Sequence, residues 1–377
     1  MDWRKEFAEF DGVTYLNVAT QGPLPLVAAR AAHLAIEWKK SPYTMPTEAY
    51  FGLPDRIRFL VAKLIHAVPS EIAITTGASG GLLALSGSRD WQPGDEVLVA
   101  RGEFPAHLAT WLPLAETGRI ILKTVEPTAR FVTADDFIAQ ITPRTRIVST
   151  SLVRFDNAVR LDTARLAAAC HSVGAFLLLD VSQCAGAMPL DVRVLGADFL
   201  VCAGYKWLLS PYGTGFFWVR GDLLSGFRKG PLYWMAVEGA QDFHSLPLSG
   251  MKPASGSRRW DSPETASFFN LAAMEASLEF VLRAGVENIW NHNTALVHQM
   301  VERLPRDRCI LASPADDSAR GPFVCFAARS PEGTRELFER LVKENVIVGL
   351  RENAVRVAPH LYNTPRDIDR LIAVISV

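Results

Sequence analysis

Residues 175–219 read A-F-L-L-L-D-V-S-Q-C-A-G-A-M-P-L-D-V-R-V-L-G-A-D-F-L-V-C-A-G-Y-K-W-L-L-S-P-Y-G-T-G-F-F-W-V. Two apolar runs lie here, Phe176–Leu179 and Asp198–Ala203, each four to six residues long and bounded by turn residues. Runs of that length suit buried strands rather than helices. The first closes on Asp180, and the second is followed, after Gly204-Tyr205, by Lys206. In an open α/β sheet, ligands collect at the carboxyl ends of the strands. A carboxylate and an amine delivered side by side at such an edge suit a cofactor with a basic ring nitrogen and an aldehyde, which is pyridoxal phosphate. The carboxylate would keep the ring nitrogen protonated, and the lysine would form a Schiff base with the aldehyde.

Upstream, strands and helices alternate. Glu71–Thr76, Asp95–Ala100, Ile120–Val125 and Arg146–Ser151 read as strands. Helical spacing covers Leu26–Lys39, Pro54–Ala67, a run from Leu82, a run through Trp111, Thr133–Ile141 and Thr163–Val173. This alternation predicts an α/β fold with a largely parallel sheet and helices on both faces. Gly215 opens a run that reads as the return strand. Trp3–Phe10 reads as a short helix, Val13–Asn17 as a short strand and Ser41–Tyr50 as irregular. Gly77-Ala78-Ser79-Gly80-Gly81 joins a strand to a helix, the arrangement in which first-turn amides hold a phosphate. It is neither a Walker A loop nor G-x-G-x-x-G, and by itself it is a weak signal.

Residues 226–262 lose the rhythm and are rich in Gly, Pro and Ser, which marks a functional or interface loop. Helices Ala266–Ala284 and Val286–Leu304 follow. Phe323–Ala328, Thr334–Glu344, Val346–Leu350, Ala354–Ala358 and Pro365–Ile375 then form a small α/β unit. The expected division is a large cofactor domain over 15–262 and a small domain from 1–14 and 263–377.

The 377 residues carry a formal net charge of -1, which gives no electrostatic case for nucleic acid or an anionic membrane. No apolar run is long enough to span a bilayer, and M-D-W-R-K-E-F lacks a signal peptide's apolar core, so a cytoplasmic protein is expected. The five cysteines are Cys170, Cys184, Cys202, Cys309 and Cys325; with no C-x-x-C pair they read as buried thiols, and no metal site is expected.

Together these residues resemble the class V aminotransferase-like branch of the fold-type-I pyridoxal phosphate enzymes. That branch includes cysteine desulfurases, selenocysteine lyases, kynureninase and isopenicillin-epimerase-like proteins. The resemblance runs from Y-L-N-V-A-T to R-V-A-P-H-L-Y-N-T-P-R-D-I-D and is most specific in D-V-S-Q and A-D-F-L-V-C-A-G-Y-K-W-L-L-S-P-Y-G-T-G-F. It implies Lys206 as the cofactor lysine and proton-transfer base, Asp180 as partner of the ring nitrogen and Gln183 as donor to the ring hydroxyl. It also implies Ala78 and Ser79 at the phosphate, Phe104 stacked on the ring, Tyr205 reaching the phosphate and Arg356 clamping the substrate α-carboxylate. His360 and Asn363 are expected to support their loop. A homodimer acting on a small amino acid is implied as well.

Three departures stand out. Ala203 replaces a serine that touches phosphate in relatives. Arg154 replaces an Asn or Gln near the ring hydroxyl, adding positive charge there or facing a substrate acid. Loop 257–265, S-R-R-W-D-S-P-E-T, lacks the R-x-x-G-T pattern of relatives, leaving Ser262 or Thr265 as substitutes. A fourth observation is negative. The segment before Arg356, V-I-V-G-L-R-E-N-A-V-R-V, is short and has no cysteine where desulfurases carry their persulfide cysteine. The expected chemistry is therefore C–S or C–Se lysis without an enzyme persulfide, with transamination and epimerisation as alternatives. A non-catalytic binding protein on the same fold is the remote one.

Overall fold

A computed structural model describes residues 2–227, 233–264 and 267–377. Its strands in chain order are β1 (Thr14–Tyr15), β2 (Ile72–Thr75), β3 (Glu96–Ala100), β4 (Ile121–Val125), β5 (Thr145–Ser151), β6 (Phe176–Asp180) and β7 (Phe199–Ala203). They continue with β8 (Gly215–Val219), β9 (Cys309–Leu311), β10 (Val324–Ala328), β11 (Val346–Ile347), β12 (Gly349–Arg351) and β13 (Ala354–Val357). The main sheet has seven strands in the order β2-β8-β7-β6-β5-β3-β4. Only β8 runs antiparallel to its neighbours, β2 and β7; the other pairs are parallel. The expected α/β class, with a large mostly parallel sheet, is what the chain forms.

Alternation along each strand explains why both faces are covered. Leu177, Leu179, Leu200, Cys202, Phe216 and Trp218 join one core. Leu178, Phe199, Val201, Phe217 and Val219 join the other. Side chains alternate across a sheet with a period of two, so continuous apolar strands need helices on both sides.

Helix Phe268–Ala284 packs against helices Leu26–Lys40 and Ala49–Ile65, and its Leu271, Met274 and Leu278 lie in the main-sheet core. A separate core gathers Leu296, Met300, Val324, Phe326, Leu341, Val355, Val357, Leu371 and Ile375, with Leu16 from the N-terminal segment. Its sheet has the order β12-β13-β10-β9, all antiparallel. The N-terminal segment reaches it through β1, which pairs in parallel with β11, and through a bridge between Asn17 and Ala358.

Some local expectations are corrected. The helix expected from Pro54 begins at Ala49, inside the stretch read as irregular, and carries Pro54 within it. Burial of Leu53, Ile57 and Val61 against the core outweighs the hydrogen bond that proline forfeits. The opening segment forms only a 3₁₀ turn, Trp3–Glu6; beyond it Phe7 is held edge-on against Phe280 and Tyr362. The helix expected over Thr133–Ile141 is shorter, Ala134–Ile138, though capped at Thr133 as read. Strand β9 had no clear signature in so short a run.

Candidate active site

The register brings three chain segments to one edge of the main sheet. Thr75 pairs with Gly215 and Gly215 with Ala203, while Asp180 pairs with Val201 on one side and Ser151 on the other. The loop carrying Lys206, the end carrying Asp180 and the helix starting at Ala78 therefore emerge together. Two glycines permit the close approaches. A Cβ on Gly215 would sit 2.7 Å from the Gly77 Cα. One on Gly22 would sit 2.3 Å from the Lys206 carbonyl oxygen, and the Gly22 amide donates to the Tyr205 carbonyl at 2.8 Å. This second contact fastens the N-terminal segment over the lysine loop.

Asp180 and Lys206 are both buried, 6% and 7% exposed, so water does little to screen them. Burial pushes the Lys206 amine down to about 8, with Arg356 and Arg351 adding to the effect and Asp180 opposing it. Burial opposes the charge on Asp180 as well, but His107, Lys206 and the Ser182 side chain outweigh it and hold its carboxyl below the ordinary range. The Ser182 amide donates to Asp180 Oδ1 at 2.7 Å. His107 Nε2 stands 3.7 Å from Asp180 Oδ2, which is a charge contact rather than a hydrogen bond. On its other side His107 Nδ1 lies 2.8 Å from Ser149 Oγ, to which the Trp111 indole also donates at 3.1 Å.

Behind this pair is a second buried carboxylate. Glu103 accepts from the Phe104 amide at 2.8 Å, the Ser151 hydroxyl at 2.7 Å, and the Ser151 amide and Thr150 hydroxyl at 3.0 Å. Burial resists its charge, but His107, Arg154 and these amides keep its pKa lowered. The same neighbours act on His107. Its burial resists protonation, yet Asp180 and Glu103 raise its pKa. Neither Glu103 nor His107 was foreseen. The usable signal was an acidic residue at a strand end followed four positions later by a histidine on the next helix.

The foreseen residues converge to differing degrees. A cavity of about 230 Å³ is lined by Phe104, Gln183, Tyr205, Lys206 and Arg356, together with Thr20 and Arg351. The Lys206 Nζ lies 5.2 Å from the Phe104 ring centre and 5.6 Å from that of Tyr205. Tyr205 packs on Tyr212 with ring centres 4.4 Å apart, and burial with Tyr212 pushes its phenol up to about 12. The Gln183 amide donates to the Ala19 carbonyl at 3.1 Å and accepts from the Trp207 indole at 3.0 Å. One of its two N–H groups thus remains for another acceptor. Ala78 is buried at the start of its helix, and Ser79 beside it is exposed. First-turn amides have no partner within their own helix.

Arg154 is largely committed inside the protein. It pairs with Asp156 at 3.1 Å and donates to the Gly102 carbonyl at 2.6 Å, leaving only Nη1, 3.7 Å from Glu103, without a hydrogen bond. Arg356 is buried, donating to the Phe155 carbonyl at 2.9 Å and the Thr20 hydroxyl at 2.6 Å. Burial, then Arg351, pushes it down to about 10. Ser262 Oγ sits beside the Thr76 amide, at 3.4 Å, in its own chain; Thr265 lies outside the described residues. His360 and Asn363 do support their loop. The His360 amide donates to Asn363 Oδ1, whose Nδ2 donates to the Tyr15 carbonyl, both at 3.0 Å. All five cysteines are buried and unpaired. Burial pushes the Cys170 and Cys325 thiols up to about 12, and those of Cys184, Cys202 and Cys309 also upward. None has the exposed, electropositive setting of a reactive thiolate.

These residues fit pyridoxal phosphate. A low-pKa amine meets an aldehyde, an ionised carboxylate meets a ring nitrogen, and a flat aromatic and a helix start suit the ring and phosphate. Some buried polar atoms beside these residues lack partners: Arg356 Nε on the cavity wall, and His107 Nε2 and Arg154 Nη1 next to Asp180 and Glu103. Buried polar groups are normally satisfied, and Arg356 Nε is one that a polar ligand in the cavity would complete.

Comparison with known proteins agrees. A probable cysteine desulfurase of Methanothermobacter thermautotrophicus is 25% identical over 310 residues, 79% of this chain and 74% of the relative. An isopenicillin N epimerase of Streptomyces clavuligerus is 26% identical over 95% of this chain and 93% of its own length. The solved complex of the cystine C-S lyase C-DES with its product cysteine persulfide superposes with a TM-score of 0.87 at 22% identity, covering 98% of this chain and 99% of that one. The family pattern described as Aminotransferase class-V matches residues 40–371. With that match spanning most of its length, the chain belongs to the class-V aminotransferase family of pyridoxal phosphate enzymes.

Proposed function

We propose that this enzyme is a lyase that breaks a bond at the β-carbon of an amino acid, of the C–S or C–Se kind, without an enzyme persulfide. The observation that carries this reading is the combination of a buried, low-pKa Lys206 with five buried, inert thiols. The cysteine-free hairpin β12–β13 before Arg356 adds to it. The cystine C-S lyase that shares the fold supports the same reading.

In this reading Lys206, Asp180, Gln183, Phe104, Tyr205, Ala78 and Ser79 hold pyridoxal phosphate, with Arg154 Nη1 as a further donor. When bound, the cofactor supplies an electron sink for the pair left at the α-carbon by proton removal. His107, Lys206 and the Ser182 side chain keep Asp180 ionised. Arg356 takes the substrate α-carboxylate with its planar fork, which turns the α-hydrogen towards Lys206. Lys206, whose amine is depressed to about 8, accepts that proton near neutral pH. The Thr20 hydroxyl and Phe155 carbonyl hold the Arg356 fork before substrate arrives.

We also propose a homodimer. Tyr43, Tyr212 and Leu248 are 90%, 71% and 88% exposed, and Tyr212 also lines the active-site cavity. Burying such side chains against a second copy gains roughly 1.5–3 kcal/mol each.

The deciding experiment incubates the reconstituted enzyme with cysteine, cystine, cysteine sulfinate, alanine and glutamate. Pyruvate or sulfide released with the cofactor retained in its aldehyde form supports the lyase. Conversion of the cofactor to its amine form would establish transamination instead, and α-proton exchange with inverted configuration would establish epimerisation.

A further inference from the structure

Arg351 has no place in the reading given so far. It lies on β12, and Arg356 lies on β13 beside it. The register pairs Gly349 with Arg356 and Arg351 with Ala354. Because side chains alternate along a strand, Arg351 and Gly349 share a face, and Arg356, opposite Gly349, shares it too. Both arginines line the cavity that contains Lys206. The hairpin between them turns through Glu352 and Asn353, at φ of 44° and 62°, the positive-φ pair of a tight two-residue turn that fixes this register.

What the half-buried Arg351 and the buried Arg356 touch distinguishes them from other arginines of the interior. Arg58 forms an ion pair with Asp261, and Arg154 with Asp156. Among the described residues no carboxylate lies within ion-pairing distance of Arg351 or Arg356. Instead both donate to one neutral acceptor, the Thr20 hydroxyl, at 3.2 Å from Arg351 and 2.6 Å from Arg356. The remaining bond of Arg351 goes to the carbonyl of its own neighbour, Leu350, at 2.7 Å. Two like charges facing one small cavity repel each other, and burial makes that repulsion stronger than in water. One substrate carboxylate, on Arg356, neutralises only half of the pair.

We infer that Arg351 receives a second acidic group, so the substrates of the proposed lyase are amino acids whose β-sulfur or β-selenium carries an acid, such as a sulfinate, with aspartate as their unreactive carboxylate analogue. This inference rests on Arg356 holding the α-carboxylate.

The test uses the reconstituted holoenzyme and the nearly isosteric pair aspartate and asparagine. Binding is followed by the spectral shift of the cofactor and by calorimetry, for the native chain, Arg351→Gln and Arg351→Lys. Aspartate is expected to bind at least tenfold tighter than asparagine, and Arg351→Gln to weaken aspartate far more than asparagine, erasing that preference. Arg351→Lys, keeping the charge without the fork, retains part of the preference. Equal binding of the two amino acids to the native enzyme, or an equal weakening of both in Arg351→Gln, would overturn the inference. If the native protein takes up no cofactor at all, the proposed function fails and this inference with it. A cofactor-loaded enzyme indifferent to the acid overturns this inference alone.

Discussion

The sheet edge and the β12–β13 hairpin meet at one cavity but handle charge in opposite ways. At the edge each buried charge has a counter-charge in the same chain. Asp180 faces His107 and Lys206, and Glu103 faces His107 and Arg154. On the hairpin, two guanidiniums share a hydroxyl, and among the described residues no carboxylate lies within ion-pairing distance of either. Buried charges are costly unless paired, so the two regions imply different partners. The edge is balanced to hold a cofactor between fixed groups, and the hairpin is left positive for an anion that comes and goes.

The strongest challenge to this contrast is Asp180→Asn. Removing one member of a buried charge cluster typically costs 3–5 kcal/mol, on the order of 100-fold or more when expressed in a rate. Turnover is expected to fall by at least that factor, together with a lower melting temperature, because His107 and Lys206 lose their shared counter-charge. A variant with near-native turnover would show that the edge does not depend on its internal pairing. Arg356→Gln should act differently. Loss of a charge-assisted pair to carboxylate, about 1.5–3 kcal/mol, predicts a rise of 10- to 100-fold in KM with the cofactor spectrum unchanged. If cofactor binding itself weakened, the hairpin would belong to the cofactor's site rather than the substrate's.

A smaller effect concerns pH. Protonation of Lys206 is disfavoured in the folded chain, so its reactive neutral form appears as pH rises through about 8 instead of the ordinary lysine range. Uptake of pyridoxal phosphate by the cofactor-free protein, followed by stopped-flow absorbance, should accelerate through that pH and level off above it. Acceleration only in the ordinary lysine range would mean that burial and the two arginines do not act on Lys206 as described. The smallest effect belongs to Cys325, which pairs with Arg356 across the small sheet. Since its thiol is buried and pushed up to about 12, Cys325→Ala should change turnover by less than about twofold beyond any cost in stability.

Much of this was legible because it is local. Asp180 closes one apolar run and Lys206 follows the other after Gly204-Tyr205, so strand ends alone predicted that they would share an edge. The part expected of Arg356, and the meaning of the cysteine-free segment before it, came instead from the family resemblance. Glu103 and His107 were not, because their partners Ser149, Ser151 and Asp180 arrive from other strands through the sheet register. The pairing of Arg351 with Arg356 depends on the turn at Glu352–Asn353, which decides whether two arginines five positions apart share a face. The arginine at 154, read from sequence as charge at the cofactor or as facing a substrate acid, is mostly consumed by Asp156, two residues on, and by the Arg101 and Gly102 carbonyls that only the fold brings near. Pro54 misled in the opposite direction. A local breaker was overridden by the apolar face that its helix buries.

The central claim is that Lys206, balanced by Asp180, is where the cofactor is held. Borohydride reduction of the protein loaded with pyridoxal phosphate, followed by peptide mass spectrometry, tests it most directly. The account predicts an absorbance band near the visible edge that disappears on reduction, with the cofactor mass fixed to the peptide containing Lys206 and to no other. Absence of the band after added cofactor, or a label on a different lysine, would contradict it.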